Sequence, residues 1–138
     1  MPSNKRNVYL TDNSLSLLAG CDSFSGRLNT IIGRYSRIVA DSMPTFTRGE
    51  WCAIFDANNG TLYLDDSSIT MAWANVADLP GLDEKWGIDS AALVAKMRRL
   101  TTAQAIAVVE ANERFWANHE KPTDEALKVA GVRIAEEK

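Results

Sequence analysis

Residues 5–18, KRNVYLTDNSLSLL, begin as a short strand and change at once into a helix. Over residues 5–12, apolar side chains alternate with polar-tipped ones, which is the two-residue period of a strand with one apolar face. Asp12 or Asn13 can cap the helix that follows, and Gly20 suits its end. The stretch therefore predicts one strand and one short helix, with no hairpin turn between strands.

A solitary strand leaves a row of backbone donors and acceptors without partners. Within the chain, the other short strand-like segment is TLYL at residues 61–64, and an isolated two-stranded pair is only marginally stable. The alternative is antiparallel pairing of residues 5–12 with the same segment of a second copy across a two-fold axis. Self-pairing is the favoured interpretation, and an intramolecular ribbon in a monomeric interaction protein is its rival.

A second helix is expected from Ser23, a good N-cap, to about Asp41. Six apolar residues recur in it at helical spacing: Leu28, Ile31, Ile32, Tyr35, Ile38 and Val39. Three arginines fall on a different face: Arg27, Arg34 and Arg37. The pattern predicts an amphipathic helix with a basic edge. For the last two arginines it favours a solvated face or salt bridges over contact with a ligand.

Pro44 breaks the chain, and the capping box formed by Thr47 and Glu50 starts the next helix. Further helix starts are expected at Ser67 or Ser68, Asp89, Thr101 with Gln104, and Pro122–Thr123. The expected fold is therefore mainly α, with a module of one strand and two helices over residues 1–43. An all-helical region over residues 44–138 follows it.

Composition places the chain among ordinary globular proteins. Its 138 residues are 46% hydrophobic and 24% charged, and no apolar run reaches the length of a membrane span. The first ten residues lack the features of a secretory signal or a transit peptide, which predicts a cytoplasmic protein with no membrane association. The two cysteines, Cys21 and Cys52, are expected to be buried reduced thiols.

The net charge of −3 is unevenly distributed. Residues 1–42 hold five basic and three acidic residues, a balance of +2, and the remainder holds ten basic and fifteen acidic residues, a balance of −5. A basic N-terminal third joined to an acidic remainder is typical of a polyanion-binding module attached to a region with another role.

The N-terminal third resembles the ribbon-helix-helix DNA-binding proteins of the Arc/MetJ type. The resemblance covers about residues 5–40, and its most specific part is SFSGRLNTIIGRYSRIV at residues 23–39. It implies an intertwined homodimer in which two strands form one ribbon and the helices pack beneath it. The first helix, from Asn13 to about Gly20, is shorter than is usual in the family, so the C-terminal helices would have to complete the dimer core.

The resemblance also implies how DNA would be bound. The paired strands would enter the major groove, with Asn7 and Tyr9 reading base edges between Lys5 and Thr11. Phosphates would be held by the start of the second helix and by nearby cations, at Arg6, Ser23, Phe24, Ser25 and Arg27. The expected function is a sequence-specific transcriptional regulator, acting as a repressor on double-stranded DNA as a homodimer or higher homo-oligomer.

An alternative is an antitoxin-like or other regulator whose residues 44–138 bind a protein partner and carry the main activity. An enzyme is disfavoured, because the sequence contains no nucleotide-binding, hydrolase or metalloprotease motif. Its single histidine, His119, has no second His or Cys at ligand spacing, so no metal and no cofactor are expected.

Overall fold

A computed structural model of the chain describes residues 12, 23–59, 66–118 and 121–135, and for residues 66–71 and 118 it describes the backbone alone. Within these ranges the fold is mainly helical, as expected. Seven helices are present there: α1 (Phe24–Ser42), α2 (Arg48–Ala57), α3 (Asp66–Asp78), α4 (Leu82–Trp86), α5 (Ser90–Arg98), α6 (Thr102–Asn118) and α7 (Asp124–Ala130). Two strands of two residues each, β1 (Thr45–Phe46) and β2 (Arg133–Ile134), accompany them.

The chain divides into two compact units, Met1–Ser36 and Arg37–Lys138. Apart from Asp12, the described part of the first unit is the larger part of α1. The second unit contains the remaining elements. The functional boundary expected between residues 43 and 44 stays a prediction, because contacts within one chain do not report on a module that two copies would share.

Helix α2 forms the centre of the second unit, and its start follows from the capping box in the sequence. Thr47 Oγ1 accepts a hydrogen bond from the Glu50 amide at 3.1 Å, and Glu50 Oε1 accepts one from the Thr47 amide at 3.0 Å. These reciprocal bonds satisfy two of the donors that a helix start leaves unpaired. Every residue from Glu50 to Phe55 is buried. The predicted capping box is therefore confirmed, and it fixes the start of the most enclosed helix.

An aromatic series runs through the core around α2. Phe55 is fully buried, and its ring stacks on Phe115 of α6 with the centroids 4.6 Å apart. Trp51 lies between Phe55 and Phe46, with ring centroids 5.7 and 5.0 Å away. Offset or edge-on aromatic pairs add about 0.5–1.5 kcal/mol each beyond their buried area. These three ring contacts thus link α2 to α6 and to β1.

The end of α2 is held by a buried asparagine. Asn58 is fully buried, and its side-chain amide donates to the carbonyl oxygens of Ile54 and Ala72, at 2.8 and 3.2 Å. Its Oδ1 accepts from Asn75 Nδ2 at 2.7 Å, and its backbone carbonyl accepts from Asn112 Nδ2 at 3.1 Å. A buried polar side chain is stabilising only when it is satisfied in this way. Asn58 therefore joins the end of α2 to the middle of α3 and of α6.

The expectation of an all-helical region over residues 44–138 is wrong at one place. Strands β1 and β2 pair in parallel, with Thr45 opposite Arg133 and Phe46 opposite Ile134. The Ala135 amide extends the pairing by donating to the Phe46 carbonyl at 2.8 Å. Two-residue strands are too short to show a two-residue period, and parallel partners this far apart in sequence have no linking turn.

Helix α4 lies between two glycine turns. Gly81 before it and Gly87 after it both have positive φ, 86° and 63°, a backbone conformation that favours glycine. The helix after it starts as predicted, because Asp89 accepts a hydrogen bond from the Ala92 amide at 3.1 Å.

Candidate nucleic-acid interface

The residues expected to read bases all fall in the first eleven positions. Asn7, Tyr9, Thr11 and Lys5 lie outside the described residues, and so does Arg6, which was expected to contact phosphate. The strand to which they were assigned lies outside them too, except for Asp12 at the end of the segment, which is helical. Its possible partner at residues 61–64 also lies outside the described residues. Their roles therefore stay predictions.

The expected phosphate-binding residues of the second helix are described, and they form the first turn of α1. Ser23 is the N-cap: its Oγ accepts from the Gly26 amide at 3.1 Å, and its carbonyl accepts from the Arg27 amide at 2.9 Å. The predicted helix start at Ser23 is confirmed. Gly26 is close to this cap, since an added Cβ would lie 3.2 Å from Ser23 Oγ.

The first turn of α1 has several features of an anion-binding site. Ser23, Phe24 and Ser25 are exposed, and the turn contains no acidic residue. Helix geometry leaves the Phe24 and Ser25 amides without an intrahelical acceptor, and they lie at the positive end of the helix dipole. An oxyanion such as a DNA phosphate is the ligand that such a turn accommodates. Arg27 is half-buried and already takes part in another interaction.

Helix α1 carries an apolar face for most of its length. We call Phe24, Leu28, Ile32 and Tyr35 the α1 stripe, since positions four or three residues apart share one face of a helix. Phe24 is 52% exposed, Ile32 51% and Tyr35 39%. Arg34 lies beside the stripe in sequence and is exposed. Large apolar side chains are thus in contact with solvent along a helix that also carries positive charge.

Sequence reasoning missed the residue that holds the end of α1. Arg133 donates from Nη2 to the Ala40 carbonyl at 3.0 Å and from Nη1 to the Met43 carbonyl at 3.3 Å. The last carbonyls of a helix have no intrahelical donor, and a guanidinium there also interacts favourably with the dipole. No local pattern reveals this contact, because Ala40 and Arg133 are 93 positions apart.

The second unit offers little reactive chemistry at its centre. Cys52 is a free, buried cysteine, and burial raises the pKa of its thiol, which keeps it protonated. The prediction of a buried reduced thiol is thereby confirmed for Cys52, while Cys21 lies outside the described residues. Over the described ranges, no three His, Cys, Asp or Glu side chains gather as metal ligands would. Among the helices in those ranges, none combines the length and apolar character that crossing a membrane requires.

Comparison with known proteins identifies no relative. No protein-family model matches the chain. Neither the curated proteins nor the solved structures contain a match to it. The resemblance of residues 5–40 to the ribbon-helix-helix proteins therefore rests on the residues of this chain.

Proposed function

We propose that the chain is a homodimeric, sequence-specific DNA-binding regulator that represses transcription by occupying an operator. The observation that carries the proposal is α1, which combines an exposed apolar stripe with an exposed, acid-free N-terminal turn. The stripe supports association with a second copy, and the turn supports binding of DNA phosphate.

The apolar exposure is concentrated on this one helix. Seven large apolar side chains are exposed among the described residues, and four of them belong to α1: Phe24, Ile32, Tyr35 and Ile38. Contiguous exposed apolar surface on a globular protein is typical of an interaction site. A second α1 related by a two-fold axis presents the same stripe and is self-complementary to it.

The charge distribution supports DNA as the ligand. Residues 1–42 carry a balance of +2, and the rest of the chain carries −5. A homodimer doubles the positive charge at the shared module, which strengthens attraction to phosphates without specifying sequence. Sequence would be read by the ribbon, where Asn7 would pair with adenine and Tyr9 would contact a neighbouring base.

The proposal predicts different effects for the base-reading and phosphate-binding residues. Duplexes are first selected by the parent protein, and binding is then measured by fluorescence anisotropy at several salt concentrations. Asn7→Ala should weaken binding to the selected duplex by about 1–3 kcal/mol of binding free energy. It should not change binding to random DNA, because only a base contact distinguishes the two duplexes. Arg6→Ala, which removes an expected phosphate contact, should weaken binding to both duplexes equally and reduce the salt slope by about 1.

Lys128→Ala is the matched control for these variants. Lys128 is an exposed lysine in the acidic second unit, so its loss should leave both affinities unchanged. If Asn7→Ala and Arg6→Ala bind selected and random duplexes as the parent does, the proposal is wrong. Failure of the parent to select any duplex, together with co-purification of a protein through residues 44–138, would instead support the antitoxin-like alternative.

A further inference from the structure

Two pairs of a cationic and an indole side chain lie on the surface of the second unit, and their geometry is similar. Lys85 Nζ lies 5.4 Å from the ring centroid of Trp86. The guanidinium carbon of Arg98 lies 4.9 Å from the ring centroid of Trp73. In each pair the cation faces the ring, as a cation–π contact requires.

The first pair shares a carboxylate. Asp56 Oδ2 accepts from Lys85 Nζ at 2.8 Å and from Trp86 Nε1 at 3.1 Å. One oxygen therefore bridges the cation and the indole N–H. The arrangement shows that a cation at this distance from an indole ring can bind the same oxyanion as the ring's own N–H.

The second pair has no such anion. Within the parts of the chain that the structure describes, Trp73 Nε1 donates to no acceptor, whereas the indoles of Trp51, Trp86 and Trp116 all do. Among those same residues no carboxylate lies within 4.0 Å of Arg98 or of its neighbour Arg99. The Arg98 guanidinium and the Trp73 indole N–H are thus left to solvent on a unit with excess acidic residues, whereas Arg99 Nε donates to the Ala95 carbonyl at 3.2 Å.

A small apolar crevice adjoins the second pair. It has a volume of about 10 Å³, which is about the room one water needs, and it is lined by Ala72, Trp73, Met97, Leu100, Ala105 and Val108. A group larger than a methyl would not enter it without movement of the surrounding side chains. The crevice therefore limits the size of any part of a ligand that enters it.

We propose that Arg98 and Trp73 form a binding site for a small oxyanion ligand, with a carboxylate or phosphate group placed as the Asp56 carboxylate is placed at Trp86. A guanidinium that stacks on a ring keeps its in-plane N–H groups for an oxyanion. The site uses no residue of α1, so it is independent of the proposed DNA binding.

The indole N–H signals of the protein itself provide the test. The full-length protein is titrated with inorganic phosphate, and separately with acetate, at constant ionic strength while its ¹H–¹⁵N spectrum is followed. The Trp73 N–H is expected to shift saturably, while those of Trp51, Trp86 and Trp116 stay in place because each already has an internal acceptor. Trp73→Phe assigns the signal by removing it.

Arg98→Gln should raise the ion concentration that half-saturates the Trp73 shift about tenfold, because it removes a charge-assisted hydrogen bond. Lys128→Gln removes one charge from an exposed residue of α7 and should leave this half-saturating concentration unchanged. Saturation by phosphate or by acetate supports the site and shows which oxyanion it prefers. The proposal is overturned if the Trp73 signal stays still with both ions, if it moves only together with the other three, or if Arg98→Gln saturates as the parent does.

Discussion

In α2, the six consecutive residues from Glu50 to Phe55 are all buried, whereas α1, nearly twice as long, buries only Val39. Both helices have apolar residues at helical spacing and a hydroxyl N-cap. Part of the difference is in the sequence, because residues 51–55 of α2, WCAIF, form a continuous apolar run whereas α1 is amphipathic. The rest lies in what the chain places against each helix.

The comparison separates two uses of the apolar residues of a helix. Helix α2 meets aromatic rings and buried amides of its own unit, so its apolar residues contribute to the stability of one chain. The α1 stripe remains exposed in one chain, so the free energy of covering it is available for association. The predictions below test this separation.

The largest contrast is expected between Phe55→Ala in α2 and Ile32→Ala in the α1 stripe. Phe55 is fully buried and stacked on Phe115, so its truncation should cost about 3–5 kcal/mol of unfolding free energy. Ile32 is half exposed, so its truncation should change the stability of the isolated chain by no more than about 0.5 kcal/mol. Urea unfolding of dilute protein measures both. Equal losses would show that the two helices do not differ as described.

A matched pair of glycines gives the next largest effect, with opposite signs. A Cβ at Gly49 in α2 would lie 2.5 Å from the Trp86 carbonyl oxygen. Gly49→Ala would therefore push the two backbone segments apart and should reduce the free energy of unfolding by about 1–3 kcal/mol. Gly33 in α1 has nothing within 4 Å of such a Cβ, so Gly33→Ala should stabilise by about 0.5–1 kcal/mol. Thermal unfolding compares them. A loss at Gly33 as large as that at Gly49 would mean that α1 is also closely packed.

The smallest effect concerns α6, which packs against α2. Burial, and then the nearby Glu110 carboxylate, raises the pKa of Glu113 in the folded chain. The folded state then holds this proton more tightly than the unfolded state, so stability falls as pH rises through the raised pKa. Glu113→Gln should therefore stabilise at pH 7, within about 0.5 kcal/mol, and give no gain at pH 3, where the parent residue is protonated in both states. Melting temperatures that rise equally at both pH values would contradict this.

Helix starts were predictable because their signals are local. The caps at Ser23, Thr47 and Asp89, and the capping box of Thr101 with Gln104, all form as the sequence indicated. Each depends on side chains within three residues of the backbone groups they satisfy. Their energy does not require knowledge of the tertiary fold.

Features that depend on distant partners were not predictable. The pairing of β1 with β2 joins segments at opposite ends of the second unit, and Arg133 reaches α1 from there. Asn58 is a buried hydrogen-bonding centre whose partners in α3 and α6 no local pattern indicates. Helix α4 was missed because its N-cap, Gly81, supplies no side-chain hydrogen bond. Of the two proposed sites, the sequence indicated the first turn of α1 but not the Arg98–Trp73 pair, whose members come from different helices.

The mass of the protein in solution tests the central claim, that α1 pairs with a second copy, most directly. Light scattering on the protein as it elutes from a size-exclusion column should give a mass twice the 15.2 kDa of one chain. Ile32→Glu should reduce it to a single chain, because a charge cannot be buried unpaired in the stripe. Val129→Glu, at an equally exposed apolar residue of the second unit, should remain a dimer. A parent mass of one chain at every concentration, or a dimer that Ile32→Glu leaves intact, would contradict the account.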